Sequence, residues 1–188
     1  MRLFLYGSRS YAQTLTGIAA DLGHEVAGLI DDQHAGPGIV GSFDAVTREQ
    51  AHGGAGLVLA IGYSDLGARA RAWERVRATA WPLPTLVHPR AYVALSATLG
   101  PGCVVMAGAI VDQRAQLGEA VVVWPGACVN HDCAIGDNSF ISPSAVLCGG
   151  ATVGPHSFVG AGALIVDGAR LPASSFVRMG ERVIARGA

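Results

Sequence analysis

The sequence predicts a mainly β protein in which a parallel β-helix over residues 87–188 follows a small α/β domain over residues 1–86. Three observations carry this expectation. From Val87 to Val177 every sixth residue is Val, Leu or Ile, sixteen in unbroken succession at 87, 93, 99, 105, 111, 117, 123, 129, 135, 141, 147, 153, 159, 165, 171 and 177. The fifth place of nearly every hexad is small, as in Ala97, Cys103, Ala109, Ala127, Cys133, Ala145, Ser157 and Ala169. Before residue 86 the hexads are absent and strand and helix patterns alternate instead. A period of six fits neither a helix face nor a free hairpin strand; it fits one short strand and one turn of a solenoid. The aliphatic and small residues then point inward, Gly, Pro, Asn or Asp take the corners, and stacked coils bury a narrow continuous core.

In the first domain, Arg2 to Tyr6 reads as an apolar strand, followed by the loop Gly7-Ser8-Arg9-Ser10 and an amphipathic helix from Tyr11 to Leu22 that ends at Gly23. Glu25 to Ile30 reads as a second strand closing on Asp31-Asp32. Gly56 to Ile61 reads as a third, closing on Gly62-Tyr63-Ser64-Asp65 before a helix to about Thr79. Together these make a small parallel sheet with ligand loops at the carboxyl ends of its strands. A loop opening a helix can hold phosphate on backbone N–H groups, and an acid after the next strand can hold a ribose hydroxyl. Gly7 is the only glycine in its loop, so the GxGxxG fingerprint is absent and two solvated aspartates after a turn glycine is the competing reading. Trp81-Pro82-Leu83-Pro84 ends the helix and forms the joint to the solenoid.

Net charge is −1 and all thirteen basic residues are Arg, scattered without a basic stripe, which sets nucleic acid aside as a partner. Only seven charged residues fall between Val93 and Val177, so bare a wall that cover by another subunit is expected. Met1 to Gly7 is too short for a signal-peptide apolar region, and no apolar run approaches the length of a membrane span. The four cysteines, Cys103, Cys128, Cys133 and Cys148, form no CxxC pair and fall among the hexads, as structural thiols of a cytoplasmic protein would.

Most hexad corners are chemically quiet. The exception is Val129-Asn130-His131-Asp132-Cys133, where an imidazole and a carboxylate replace small turn residues. If three hexads close a coil, residues eighteen apart stack, with Gln113 below His131 and Gly149 above it, and Arg114 below Asp132. On one reading His131 is a general base, Asp132 fixes its tautomer, and the Gly149 N–H faces an oxyanion. On the other, His131 is a solvated turn residue and Asp132 simply pairs with Arg114. His156 reads as solvated and His88 as packing or capping. A zinc site would need three convergent imidazoles, which the repeat does not supply, so no metal is expected.

Asn130-His131-Asp132-Cys133-Ala134-Ile135-Gly136-Asp137, the segment Ile141-Ser142-Pro143-Ser144-Ala145-Val146-Leu147, and Phe158-Val159-Gly160-Ala161-Gly162-Ala163 resemble the left-handed β-helix, hexapeptide-repeat acyltransferases of the sialic acid O-acetyltransferase type, which include the nucleotide-aminosugar N-acetyltransferases. The resemblance spans nearly the whole chain, because those proteins also carry a small Rossmann-like domain before the helix. It implies a left-handed coil and a homotrimer with active sites at the subunit interfaces. It also implies an acetyl-CoA-dependent acetyltransferase acting on the amino group of a nucleotide-linked aminosugar in surface-glycan synthesis.

The residues carried over by that resemblance are His131 as base, Asp132 as its acidic partner and Gly149 as oxyanion donor. Gly7, Ser8 and Arg9 belong to the phosphate-side loop, and Tyr11 stands where a histidine near the sugar is common. Asp31 and Asp32 correspond to the nucleoside-binding acids, and Ala60, Ile61 and Gly62 to the wall of the base pocket. Acetyl-CoA is implied near Gly149, Ala161 and Gly162, with Phe140 replacing a histidine beside it and Arg178, Arg182 and Arg186 as phosphate partners. The hexad phase turns Cys133 inward, which argues against a thiol nucleophile and for direct transfer. Alternatives from the same residues are sugar O-acetylation and a non-catalytic sugar-nucleotide-binding trimer.

Overall fold

A computed structural model describes residues 1–48 and 53–184. The chain forms two compact units, Met1–Pro84 and Thr85–Ala188.

The first unit is a four-stranded parallel sheet with helices. Its elements are β1 (Arg2–Tyr6), α1 (Ser10–Asp21), β2 (Glu25–Ile30), β3 (Ile39–Gly41), α2 (Phe43–Arg48), β4 (Gly56–Leu59) and α3 (Leu66–Arg77). The strand order is β3-β2-β1-β4, which puts β1 and β2 in the middle. Leu3 to Tyr6 and all of β4 are buried, as continuous apolar runs in a parallel sheet require. The helix α1 buries Tyr11, Ala12, Leu15, Ile18 and Ala19, a stripe at helical spacing. In α3 the Asp65 side chain accepts from the Ala68 N–H at 2.7 Å, and Arg75 and Arg77 lie in the last turn, where cations suit the helix dipole.

Two elements escape the sequence pattern, β3 and α2. Both are short, and β3 follows the Gly36-Pro37-Gly38 turn, where three residues carry no readable alternation. The strand expected to reach Ile61 stops at Leu59, which leaves Ala60 to Gly62 as loop. The reason sits opposite. Gly7 has φ +124°, and a Cβ there would stand 2.6 Å from the Ala60 carbonyl oxygen, so the loop after β1 and the loop after β4 cross at backbone contact. Only glycine permits both the torsion and the approach.

The second unit is a parallel β-solenoid of about five turns, built, among the described residues, from seventeen two-residue strands in three sheets of five, six and six. Partners in every ladder lie eighteen residues apart, as in Gln116 with Ala134 and Cys128 with Val146. The core is a column of aliphatic residues such as Val111, Val129 and Leu147 interleaved with Ala109, Ala127, Cys133 and Ala145, all fully enclosed. Corners recur every six residues from Gly102 to Gly180 with positive φ, and seven of them are not glycine: Arg114, Ala120, Asp132, Asn138, Ser144, His156 and Ser174. A left-handed torsion costs a non-glycine residue roughly 1–2 kcal/mol, a cost the coil ladder has to offset.

The three outer walls differ. One presents Tyr92, Ile110, Cys128, Val146 and Leu164, with Tyr92 and Ile110 exposed. A second presents Thr98, Gln116, Ala134, Thr152 and Arg170. On the third, Val104, Val122, Phe140 and Phe158 are buried while Phe176 is exposed and stacks on Phe158, ring centroids 5.1 Å apart. Two of the three walls are thus apolar, one partly exposed and the other buried except at Phe176, and only the Thr98–Arg170 wall is polar.

Candidate active site

At each corner the third residue of the hexad has a backbone N–H outside the coil-to-coil ladder, which is why Pro89, Pro101, Pro125, Pro143 and Pro155 fit there. His131, Gly149 and Asp167 occupy that place in successive coils. Where five corners have proline, Gly149 keeps a donor. Its N–H meets no protein acceptor among the described residues, although the residue itself is buried.

The next corner residue, Asp132, takes the left-handed torsion at φ 60°. Its Oδ2 lies 2.8 Å from His131 Nδ1. Below it, Arg114 donates from Nε to Oδ1 at 2.7 Å and from Nη2 to Oδ2 at 2.8 Å, a two-pronged pair. The Arg114 guanidinium first, and the His131 imidazole second, hold the Asp132 carboxyl well below the usual carboxylate range. An ionised carboxylate only accepts, so the neutral imidazole carries its proton on Nδ1 and its lone pair on Nε2. The Cε1–Nε2 edge of the ring stands against Gly149. A Cβ on Gly149 would lie 2.5 Å from His131 Cε1 and 2.7 Å from Nε2, so this glycine alone keeps the ring edge open.

The two sequence readings of the corner therefore turn out to be parts of one arrangement. Asp132 pairs with Arg114 and orients His131 at the same time, and the stacking of Gly149 over His131 holds as the eighteen-residue spacing predicts. Arg114, taken in the sequence only as a competitor for Asp132, completes a relay of three.

Cys133 faces the core and donates to the Cys148 carbonyl at 3.1 Å, and burial pushes its thiol up to about 11. A thiol so held is no nucleophile. His88 is buried, and its Nδ1 accepts from the Arg90 N–H at 3.0 Å, a cap as expected. His156 is exposed at its corner with Asn138 3.1 Å from its Nδ1. Phe140, assigned to the acetyl-CoA site, is fully enclosed and in register with Phe158, so it packs the wall and presents no surface to a ligand. Ala161 and Gly162 lie at an accessible corner, and Arg178 and Arg182 are exposed; Arg186 lies outside the described residues.

In the first unit the residues named from its three loops do meet. Gly7, Ser8, Arg9, Tyr11, Asp31, Asp32, Ala60, Ile61 and Gly62 all line one cavity of about 710 Å³. Asp31 accepts from Ser8 Oγ at 2.5 Å, from the N–H groups of Gln33 and His34 at 2.8 and 2.9 Å, and from His34 Nδ1 at 3.0 Å. Burial works to raise its pKa, but these bonds outweigh that and hold it down at about 2. Asp32 accepts from Tyr6 Oη at 2.5 Å, from the Phe43 N–H at 2.8 Å and from Arg75 Nη1 at 2.6 Å. Arg75 also reaches Asp44 at 2.8 Å and lies over the Phe43 ring. Gly7 spends its N–H on the Ile30 carbonyl at 2.8 Å, so its part in the loop is conformational. The ring of Tyr11 is enclosed against the cavity, and burial pushes its phenol up to about 12.

Sequence reasoning missed Arg71 and Arg75, which also line the cavity. A signal was present: they lie four apart on the helix that follows the third loop, one turn beyond one another on the same face. Arg69 was missed too. It is fully buried and donates to the carbonyls of Leu59 at 3.3 Å and Ile61 at 2.6 Å, which fixes the loop the cavity is built on.

Among the described residues no three His, Cys, Asp or Glu side chains converge as metal ligands, and no helix is long and apolar enough to cross a membrane.

The family model for the bacterial transferase hexapeptide, of six repeats, matches residues 114–149 and 132–167, which contain the His131 corner. No protein of the curated set matches the chain. Among solved structures, the acetyltransferase domain of PglB from Neisseria gonorrhoeae is 28% identical, with 100% of this chain and 93% of that one covered at a TM-score of 0.88. The same domain in complex with acetyl coenzyme A is 27% identical, with 97% and 95% covered at a TM-score of 0.83. A variant of perosamine N-acetyltransferase from Caulobacter crescentus, in complex with CoA and GDP-perosamine, is 26% identical, with 95% and 93% covered at a TM-score of 0.76. In its repeat this chain is similar to the bacterial transferase hexapeptide proteins, and along its whole length to these acetyltransferase structures.

Proposed function

We propose that the chain is an acetyl-CoA-dependent N-acetyltransferase acting on the amino group of a nucleotide-linked aminosugar. The observation that carries the proposal is the column in which Arg114 holds Asp132, Asp132 holds His131 Nδ1, and His131 Nε2 opens onto a glycine with an unspent N–H. The likeness to structures that bind acetyl-CoA, CoA and GDP-perosamine supports the same reading.

The amine lone pair attacks the thioester carbonyl carbon, and the oxyanion that forms is stabilised by the Gly149 N–H. His131 Nε2 takes the proton from the new C–N centre, with Asp132 supporting the imidazolium. Collapse breaks the C–S bond, and the imidazolium returns that proton to the leaving thiolate. Asp132, held ionised by Arg114, serves as orienter throughout.

The first unit is read as a Rossmann-like nucleotide-sugar domain whose cavity takes the nucleotide, with Asp31, Asp32 and the arginines placed for its ribose and phosphates. The second is read as a left-handed coil that carries transfer, with acetyl-CoA running past Gly149 toward Ala161, Gly162 and Arg178. The apolar wall of Tyr92, Ile110, Cys128, Val146 and Leu164 supports packing against further copies, as a homotrimer requires, in the cytoplasm.

The test is a panel of UDP-, dTDP- and GDP-linked amino sugars and their hydroxyl counterparts with acetyl-CoA, read by release of thiol. Turnover on an amine, abolished by His131→Ala with solution mass unchanged, is expected. Unaltered turnover in His131→Ala removes the base, and turnover on hydroxyls alone replaces N- by O-acetylation.

A further inference from the structure

We infer that Asp167 receives the acceptor's amino group, and that the slot between Asp167 and His131 selects a cationic nitrogen over a hydroxyl. The inference rests on the acetyltransferase reading above and says which acceptor that site takes.

Gln113, His131, Gly149 and Asp167 form one stacked column, and Gly149 is its only member without a side chain. The point where a Gly149 Cβ would stand is 2.7 Å from His131 Nε2 and 3.0 Å from Asp167 Oδ1. The imidazole from the coil below and the carboxylate from the coil above therefore face one small space from opposite sides. They do not consume each other, because His131 pairs through Nδ1 with Asp132. Asp167 is exposed, and no donor among the described residues reaches its carboxylate. His131 Nε2 and Asp167 Oδ1 therefore lie within about 5.7 Å of each other in front of the bare glycine, a span that one nitrogen can bridge with an N–H···N and an N–H···O contact.

The chemistry of that seat favours an amine. A sugar ammonium has three donors, enough for Asp167, His131 and one more contact. A hydroxyl has a single proton; given to His131, it leaves Asp167 facing the acceptor oxygen with like partial charge and no hydrogen bond. With Asp132 and Asp112 near the same corner and Arg114 engaged by Asp132, the site has an excess of negative charge that a cationic acceptor offsets. The ammonium gives one proton to solvent along the exposed side of Asp167. The resulting amine then forms the C–N bond, His131 takes the second proton, and that proton leaves on the thiol as the C–S bond breaks. Amine and thioester thus yield amide and thiol, with no other reactant.

The test uses the full chain with acetyl-CoA and the best amine and best hydroxyl acceptor from the nucleotide-sugar panel. In Asp167→Asn, KM for the amine is expected to rise about 10- to 100-fold, the loss of one hydrogen bond to a charged group, while kcat changes far less. The ratio of amine to hydroxyl turnover falls by the same factor, and Asp167→Glu recovers part of it. His131→Ala behaves oppositely, its loss falling mainly on kcat. An unchanged KM and acceptor ratio in Asp167→Asn overturns the inference and leaves acetyl transfer standing. So does a fall in kcat and Tm with the acceptor ratio unmoved, which marks a structural role. If the wild-type chain turns over hydroxyls alone, amine selection is overturned while acetyl transfer survives. If it turns over neither, both readings fall.

Discussion

The cavity of the first unit and the corner of the second are built on opposite plans. In the cavity the polar side chains bind each other: Asp31 takes four hydrogen bonds and Asp32 three, all from protein donors. In the corner the reacting atoms are left over, His131 Nε2, the Gly149 N–H and the Asp167 carboxylate having no protein partner among the described residues. The difference teaches where stability and chemistry reside. Groups that satisfy one another hold a shape, whereas groups held by a neighbour and left open at the far end are ready to act. Substitutions in the two places should therefore fail in different currencies, stability for the cavity and rate for the corner.

The largest expected separation comes from His131→Ala. Removing a positioned base lowers kcat by about 10² to 10⁴, while stability changes by less than about 0.5 kcal/mol because the ring is more than half exposed. Single-turnover kinetics and thermal unfolding on the same preparation check both halves. Gly7→Ala should do the reverse. Its Cβ would meet backbone at Ala60, and neither torsion nor clash is easily relieved, so a loss of about 2–4 kcal/mol is expected by urea unfolding. Should Gly7→Ala keep full stability, the crossing of the two loops is looser than described.

Gly149→Ala tests the comparison within a single residue. The atoms its Cβ would meet belong to the far ends of the His131 and Asp167 side chains, which can swing away into solvent. Stability should therefore fall by no more than about 1 kcal/mol, the centre of the range for point substitutions. The rate should fall about 10- to 100-fold, because the ring edge is displaced and the oxyanion donor is crowded. Equal losses in stability and rate would place Gly149 with Gly7 instead.

These expectations were unequally legible in the sequence, and the reason is geometric. In the solenoid a fixed spacing of eighteen converts sequence distance into spatial contact, so Gly149 over His131 and the inward Cys133 follow from counting. What counting cannot give is the reach of a side chain. Whether Arg114 or His131 takes Asp132 depends on rotamers, and the answer is both. Phe140 was misplaced for a related reason: its hexad position faces outward, yet its wall is covered, which a repeat cannot announce. In the first unit the loops after β1, β2 and β4 were readable because parallel strands end on one edge. The short β3 and α2 were not, and with α2 went Phe43, whose N–H holds Asp32.

Acidification separates the regions by a different route. Asp31 has a pKa lowered to about 2, so its folded form holds its proton less tightly than an unfolded aspartate near 3.9. The stabilisation it provides is complete above the unfolded value and is lost as pH falls from about 4 through about 2. In Asp31→Asn the unfolding midpoint should be lower at neutral pH, and its further decline between pH 4 and 2 should be shallower. Identical acid profiles for the two proteins would mean that the bonds to Asp31 persist in the unfolded chain or contribute nothing.

Arg114→Gln is expected to produce the smallest change and to be the most discriminating. The pair it breaks is largely exposed, with side-chain accessibilities of 58% and 45%, so its loss should leave the unfolding midpoint nearly unchanged. Without the guanidinium, Asp132 rises toward the ordinary carboxylate range but stays ionised at neutral pH, so the proton on His131 Nδ1 keeps its acceptor. Only the clamp on the carboxylate is lost. The expected result is a fall in kcat of about 3- to 10-fold with KM for both substrates retained, the signature of a positioning residue one step removed from the reacting atoms. A fall as large as that of His131→Ala would mean that Arg114 touches a substrate directly. No fall at all would mean that Asp132 is held by its own corner torsion and by His131 alone, and the relay would then have two members instead of three.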